Sequence, residues 1–230
     1  MKIHSPQLTS NEFIIGFIYY ILQLIVIPAL LIVVNMFLLP IPCSEAVMNF
    51  IFFAVNFFAV ILIFRKFLWK NLKVALNQPR KVLRFAFYGL IIYFFGTSVI
   101  TTVNLWLSPN FANINDQSIM LMMEDHFALM VIGTVLLVPI AEELFYRGLM
   151  FRQLFDRRPI LAYLLSMSIF SAIHVAGYVG MTDWLTLLLC FFQYLPASFA
   201  LAWSYHRSGS IFTSVLTHTV VNLIGMLAMR

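Results

Sequence analysis

Glu142 and Glu143 stand side by side in an apolar run, Val-Leu-Leu-Val-Pro-Ile-Ala-Glu-Glu-Leu-Phe-Tyr-Arg-Gly-Leu at positions 135–149. A carboxylate near the middle of a membrane helix costs at least about 2.5–3.5 kcal/mol. Two of them together mark a place where a charge is put to use. On a helix, Glu143 and Arg147 are four apart and share a face, which predicts a self-neutralising ion pair. Glu142 is turned about 100° from Glu143 and is left to face another part of the interior. A desolvated carboxylate is a stronger base than one in water, as general-base chemistry requires. Pro139 has no N–H, so the Val135 carbonyl loses its helical donor, and a local kink there makes room beside Glu142.

Two histidines supply partners. Phe170 and His174 share one helix face, as do His218 and Asn222, each at a spacing of four. Counted from the basic helix ends at ~1.5 Å per residue, Glu142 and His174 lie ~20 Å deep and His218 ~14 Å. Packed together, these helices could bring a carboxylate, two imidazoles and an amide to one buried level. Taken singly, each His reads equally well as an interhelical hydrogen-bonding group, and Asn222 reads as structural. As a set they exceed what a purely structural bundle needs. Gln193, Asn56 and Asn104 are polar within spans but have no tie to the cluster and read as structural.

The elements that must position these groups are membrane helices. Of 230 residues, 62% are hydrophobic and 10% charged, and the mean hydropathy is +0.95. Soluble domains run near 45–50% apolar and about 25% charged, so an all-α, polytopic transmembrane bundle is expected. About seven spans of sufficient length are predicted, at 13–39, 47–64, 85–107, 127–153, 161–179, 184–204 and 210–228. We read one membrane domain over 1–230, with the chemistry-bearing motifs in 135–228. The first span reads as a retained anchor, because it is too long for the apolar core of a signal peptide and no Ala-x-Ala-like site follows it. Basic residues fall after span 2 (Arg65 to Arg84), after span 4 (Arg152, Arg157, Arg158) and after span 6 (Arg207). The intervening loops carry Glu45, then Asp116, Glu124 and Asp125, then Asp183, without Lys or Arg. This alternation puts the N-terminus in the cytoplasm and the C-terminus outside. The basic stretch Lys66–Arg84 reads either as an interfacial segment on an anionic leaflet or as ordinary positive-inside loop. The stretch Asn113–Phe127 reads as a short interfacial helix or a loop. Cys43 and Cys190 are too differently placed to pair, and no Cys/His metal spacing occurs. Nothing supports nucleic-acid binding; the bilayer is the expected partner.

Glu-Glu-x-x-x-Arg at 142–147, Phe-x-x-x-His at 170–174 and His-x-x-x-Asn at 218–222 occur in that order on three late helices. This ordered triple resembles the CPBP family, which comprises type II CAAX prenyl endopeptidases and bacteriocin-processing or self-immunity (Abi) membrane proteins. It covers about 80 residues of the C-terminal half. The resemblance implies an intramembrane endopeptidase. In it Glu142 and His174 activate water, His218 and Asn222 stabilise the oxyanion, and Glu143, Arg147 and Phe170 support them. It implies a membrane-associated peptide or protein substrate, lipidated or not, and short loops point to a bacterial plasma membrane. A metal-free site is favoured. Zinc on Glu142, His174 and His218 is the alternative chemistry, a His₂Glu set. The non-enzymatic alternative is a peptide-binding or bacteriocin-immunity protein; a proton-relaying transporter ranks last. The cavity is expected to open toward the basic side.

Overall fold

A computed structural model of the chain describes residues 5–230; the first four residues of the expected domain lie outside the described part. Its α-helices are α1 (Ser10–Val33), α2 (Glu45–Ile63), α3 (Arg65–Asn77), α4 (Pro79–Leu107) and α5 (Ile114–Val131), then α6 (Val138–Glu143), α7 (Arg152–Phe155), α8 (Pro159–Ala176), α9 (Trp184–Ser208) and α10 (Ile211–Ala228). π-helical stretches cover Val34–Leu38, Ile132–Leu137 and Leu144–Phe151. No strand forms among the described residues beyond one isolated bridge between Val179 and Thr182. The architecture is the all-α polytopic bundle that composition predicts, with seven helical segments among the described residues long and apolar enough to cross a membrane.

Its polarity is inverted relative to a soluble protein. Glu143 and Arg147 are 0% exposed, whereas Phe95 is 73% and Trp106 81% exposed. Apolar side chains outside and an ion pair inside suit a hydrocarbon solvent.

The third and fourth spans exceed their predicted lengths the most. The third begins at Pro79 rather than 85, because proline at the first helical position is preset for a helix and gives up only an N–H that would be unpaired anyway. The fourth is a composite of 42 residues, Ile114–Phe155. It starts where the Asn113 side chain accepts the N–H groups of Asn115 and Asp116, so the Asn113–Phe127 stretch is helical. A break at His126 (φ −142°, ψ 66°) separates this polar first part from the apolar remainder.

The basic stretch after span 2 is also helical over α3. Its buried Asn71 accepts the N–H of Ile211 at 3.0 Å, and its carbonyl accepts the Ser210 hydroxyl at 3.1 Å. These bonds pin α3 to the start of α10. At the start of α1, Glu12 closes a capping box with Thr9, and its Oε1 accepts the N–H of Phe67 at 2.8 Å. A buried aromatic cluster then fills the space between α1, the α2–α3 junction and the Leu144–Phe151 turn, with Tyr20, Phe64, Phe67, Phe145, Tyr146 and Phe151. Helix α9 runs through the C-terminal half, packed on α4, α8 and α10. At its crossing with α4, a Cβ on Gly96 would stand 2.8 Å from Pro196 Cβ, so only glycine permits that approach. Cys43 and Cys190 are both free.

Candidate active site

The two glutamates occupy the last two positions of α6, a single turn between π-helical stretches. In the first stretch the Val138 N–H reaches back five residues to the Gly133 carbonyl. The next donor in that register would be residue 139, onto Thr134, and Pro139 has none. The carbonyl left without a donor is therefore that of Thr134, not of Val135 as a regular α-helix would give. Asn222 Nδ2 fills the position, donating to the Thr134 carbonyl at 2.8 Å. This bond ties α10 to the chain just ahead of Glu142.

Glu143 is a hub rather than half of an isolated pair. Its Oε1 accepts the Nδ1–H of His218 at 2.9 Å, and its Oε2 accepts the Ser214 hydroxyl. Arg147 Nε lies 3.2 Å from Oε2, with both side chains fully buried. That contact is one of charge, because Nε is not aligned for a hydrogen bond. Arg147 spends Nη2 on the Ser198 carbonyl and hydroxyl, both at 3.0 Å. Its guanidinium lies 4.7 Å from the centre of the Phe170 ring. One buried cation thus joins the glutamate turn to α8 and α9.

The imidazoles are oriented from behind. A carboxylate only accepts, so Nδ1 of His218 carries hydrogen toward Glu143 and Nε2 faces the other way. There Glu142 Oε2 stands 3.9 Å from it. That oxygen is buried and has no hydrogen-bond partner among the described residues. His174 Nδ1 donates to the Phe170 carbonyl at 2.8 Å, leaving Nε2 uncommitted. The His174 ring lies between Phe170 and Tyr194, with ring centres 4.5 and 4.3 Å away. Phe170, His174, His218 and Asn222 line one cavity of about 110 Å³, enough for several waters. Glu142 is not part of that wall and meets the site at its contact with His218. The cavity also reaches Asn113 and Asp116 at the start of α5. Its wall therefore runs to the end of the bundle that carries the acidic loops, opposite to the basic end toward which we expected it to open.

All seven residues singled out by spacing fall in this one region. Sequence reasoning did not mark Ser214 and Ser198, which bond to Glu143 and Arg147. Ser214 was discoverable, since it precedes His218 by four residues on the same face. Gln193 lines the cavity and its Oε1 is buried without a partner, whereas Asn56 and Asn104 serve helix packing, bonded to Tyr19 and the Phe52 carbonyl and to the Leu189 carbonyl. Among the described residues no group of three His, Cys, Asp or Glu side chains is placed to hold a metal ion. The donor set of Glu142, His174 and His218 matches zinc chemistry by type.

Seven apolar helices around a buried polar cluster define an integral membrane protein. An Rce1-like domain, type II CAAX prenyl endopeptidase, is detected at residues 124–224, which contain all seven motif residues. That match covers less than half of the chain. UPF0177 protein YbdJ of Lactococcus lactis subsp. lactis (strain IL1403) is 38% identical over 86 residues, 37% of this chain and 33% of the relative. UPF0177 protein YxdF of the same strain is 30% identical over 95 residues, 41% of this chain and 47% of the relative. The matched part thus spans less than half the length of either relative. No solved structure matches the chain.

Proposed function

We propose that this protein is an intramembrane endopeptidase that hydrolyses a peptide bond in a membrane-associated or lipidated peptide or protein. The observation that carries the reading is His218 held between two carboxylates, with Nδ1–H on buried Glu143 and Nε2 facing Glu142 across 3.9 Å. That gap is one a bridging water spans. Glu142 takes a proton from the water as its oxygen bonds to the peptide carbonyl carbon. His174 Nε2 accepts the water's other hydrogen and fixes its direction. Negative charge develops on the former carbonyl oxygen, which receives a hydrogen bond from the second N–H of Asn222; His218, whose Nδ1–H is spent on Glu143, donates there through Nε2 when both ring nitrogens carry hydrogen. Such donors are worth roughly 2.7–4 kcal/mol each in a site screened from water. The C–N bond then breaks, and Glu142 returns its proton to the leaving amine.

The reading is metal-free. A chelator should leave cleavage intact, and loss of activity that zinc restores would assign the chemistry to a Lewis acid instead. The positive-inside alternation puts the N-terminus in the cytoplasm and the C-terminus outside, and lactococcal relatives support a bacterial plasma membrane. With the cavity reaching the acidic-loop end, substrate approaches from the outer half of the bilayer. The test compares new peptide termini, by mass spectrometry, in membranes of cells carrying wild type or Glu142→Gln at equal expression. Fragments present only with wild type support hydrolysis and identify the substrate. A Glu142→Gln protein that keeps the gene's phenotype, with no fragment differing, supports the binding or immunity reading.

A further inference from the structure

The cavity that holds His174 and His218 has a second polar end that the hydrolytic scheme does not use. Asp116, on the first turn of α5, lines it together with Thr97 and Gln193. Among the described residues no Lys, Arg or His forms a salt bridge with Asp116. The three connecting segments at this end of the bundle, 39–44, 108–113 and 177–183, contain no Lys or Arg, and the C-terminal Arg230 at the same end lies over the Phe127 ring. Gln193 Oε1, in the same wall, is a buried acceptor without a donor. A carboxylate and an unfilled acceptor in one cavity, away from every basic loop, are complementary to a cation that also donates hydrogen bonds. The neutral Tyr194 hydroxyl bonds to the half-buried Asp116 carboxyl without supplying charge, so a cation that enters the cavity can supply the counter-ion.

Resting on the peptidase reading, we propose that Asp116 is a specificity-determining residue that receives a cationic group of the peptide substrate, with Gln193 accepting one of its N–H donors. The shared chemistry is a primary ammonium or guanidinium, from a Lys or Arg side chain or from a free N-terminus. A cation of that size fits a cavity of about 110 Å³, which is too small for a folded segment. Asp116 thereby sets which stretch of an otherwise apolar peptide lies beside Glu142. A carboxylate end would be repelled there.

The experiment uses the full chain in lipid nanodiscs and a set of apolar dodecapeptides carrying a single Lys, Gln or Glu at each position. Each peptide is made with a free and with an acetylated N-terminus. Binding is read on Glu142→Gln and on Glu142→Gln/Asp116→Asn, and cleavage on wild type and Asp116→Asn. The proposal predicts tenfold or tighter binding of cationic over neutral peptides, abolished by Asp116→Asn, with KM raised and kcat little changed. Asp116→Lys should turn the preference toward Glu-bearing peptides. If only free N-termini are preferred, the cation is the terminal amine; if acetylated Lys peptides keep the advantage, it is a side chain. Cleavage by wild type with no charge preference overturns this inference and leaves the peptidase reading standing. Charge-selective binding without cleavage overturns the peptidase reading and leaves the cation site standing. An Asp116→Asn protein that loses kcat equally on all peptides shows a structural residue and also overturns the inference.

Discussion

His218 separates the roles of the two adjacent glutamates. Glu143 is sealed behind it, bonded to His218 and Ser214 and beside Arg147, while Glu142 faces its free nitrogen. Removing one member of a buried ion pair costs about 3–5 kcal/mol, so Glu143→Gln should lower the unfolding temperature sharply. Glu142→Gln should leave it nearly unchanged. Thermal unfolding of both variants in the same micelles checks the contrast. Ser214→Ala removes one donor from Glu143 and should cost about 1–3 kcal/mol, as the carboxylate oxygen is left less satisfied. Its activity should fall far less than that of Glu142→Gln, which initial rates would register. The seven motif residues were legible because spacings of four survive on any helix face. Their division of labour was less so: the Glu143–Arg147 pair was evident, but His218 and Ser214 reach Glu143 from a helix about 70 residues away. Sequence spacing carries no record of which helices touch.

At the scale of elements, the π-helical stretch before Pro139 decides which carbonyl is freed. An α-helical register points to Val135, whereas the π register moves the orphan to Thr134, where Asn222 caps it. Asn222→Ala should therefore destabilise the protein by about 1–3 kcal/mol. In a Pro139→Ala background, residue 139 regains an N–H for Thr134, and loss of Asn222 should cost distinctly less. A double-mutant cycle by equilibrium unfolding measures this coupling, and simple additivity would count against the register argument. Helix α9 offers a pH test. The Thr186 hydroxyl and N–H bonded to Asp183 hold its carboxyl below the usual range. A lowered folded-state value contributes stability above the ordinary carboxylate range and loses it as pH falls through the folded value. Asp183→Ala should thus lower the unfolding temperature at pH 7 and have little effect near the acid end, which a pH series of melts would reveal. The helix start at Pro79 was hidden, and Asn113–Phe127 was open between helix and loop, because hydropathy follows apolar runs, while backbone hydrogen bonds continue through polar turns.

The whole molecule presents apolar side chains to its surroundings and closes its polar groups inside, and composition alone was enough to predict that. The direction of the cavity was not legible. It depends on how α4, α5, α9 and α10 pack, and that packing turns on close approaches such as Gly96 against Pro196. Gly96→Val should cost about 1–3 kcal/mol through overpacking and should distort the cavity wall beside Thr97, lowering both the unfolding temperature and turnover. If the acidic-loop end lies outside, a membrane-impermeant thiol reagent should label a cysteine at Asn110, but not one at Asn77, in intact cells of a Cys43→Ser background. The central claim is that Glu142, facing His218, is the base of a hydrolytic site. Its most direct test is the initial rate of cleavage by purified wild type and Glu142→Gln in lipid nanodiscs, using a substrate found in membranes, with unfolding recorded on the same samples. We expect cleavage to fall by at least about 100-fold, as loss of a general base does, at an unchanged unfolding temperature. A Glu142→Gln protein that cuts at the wild-type rate would contradict the account.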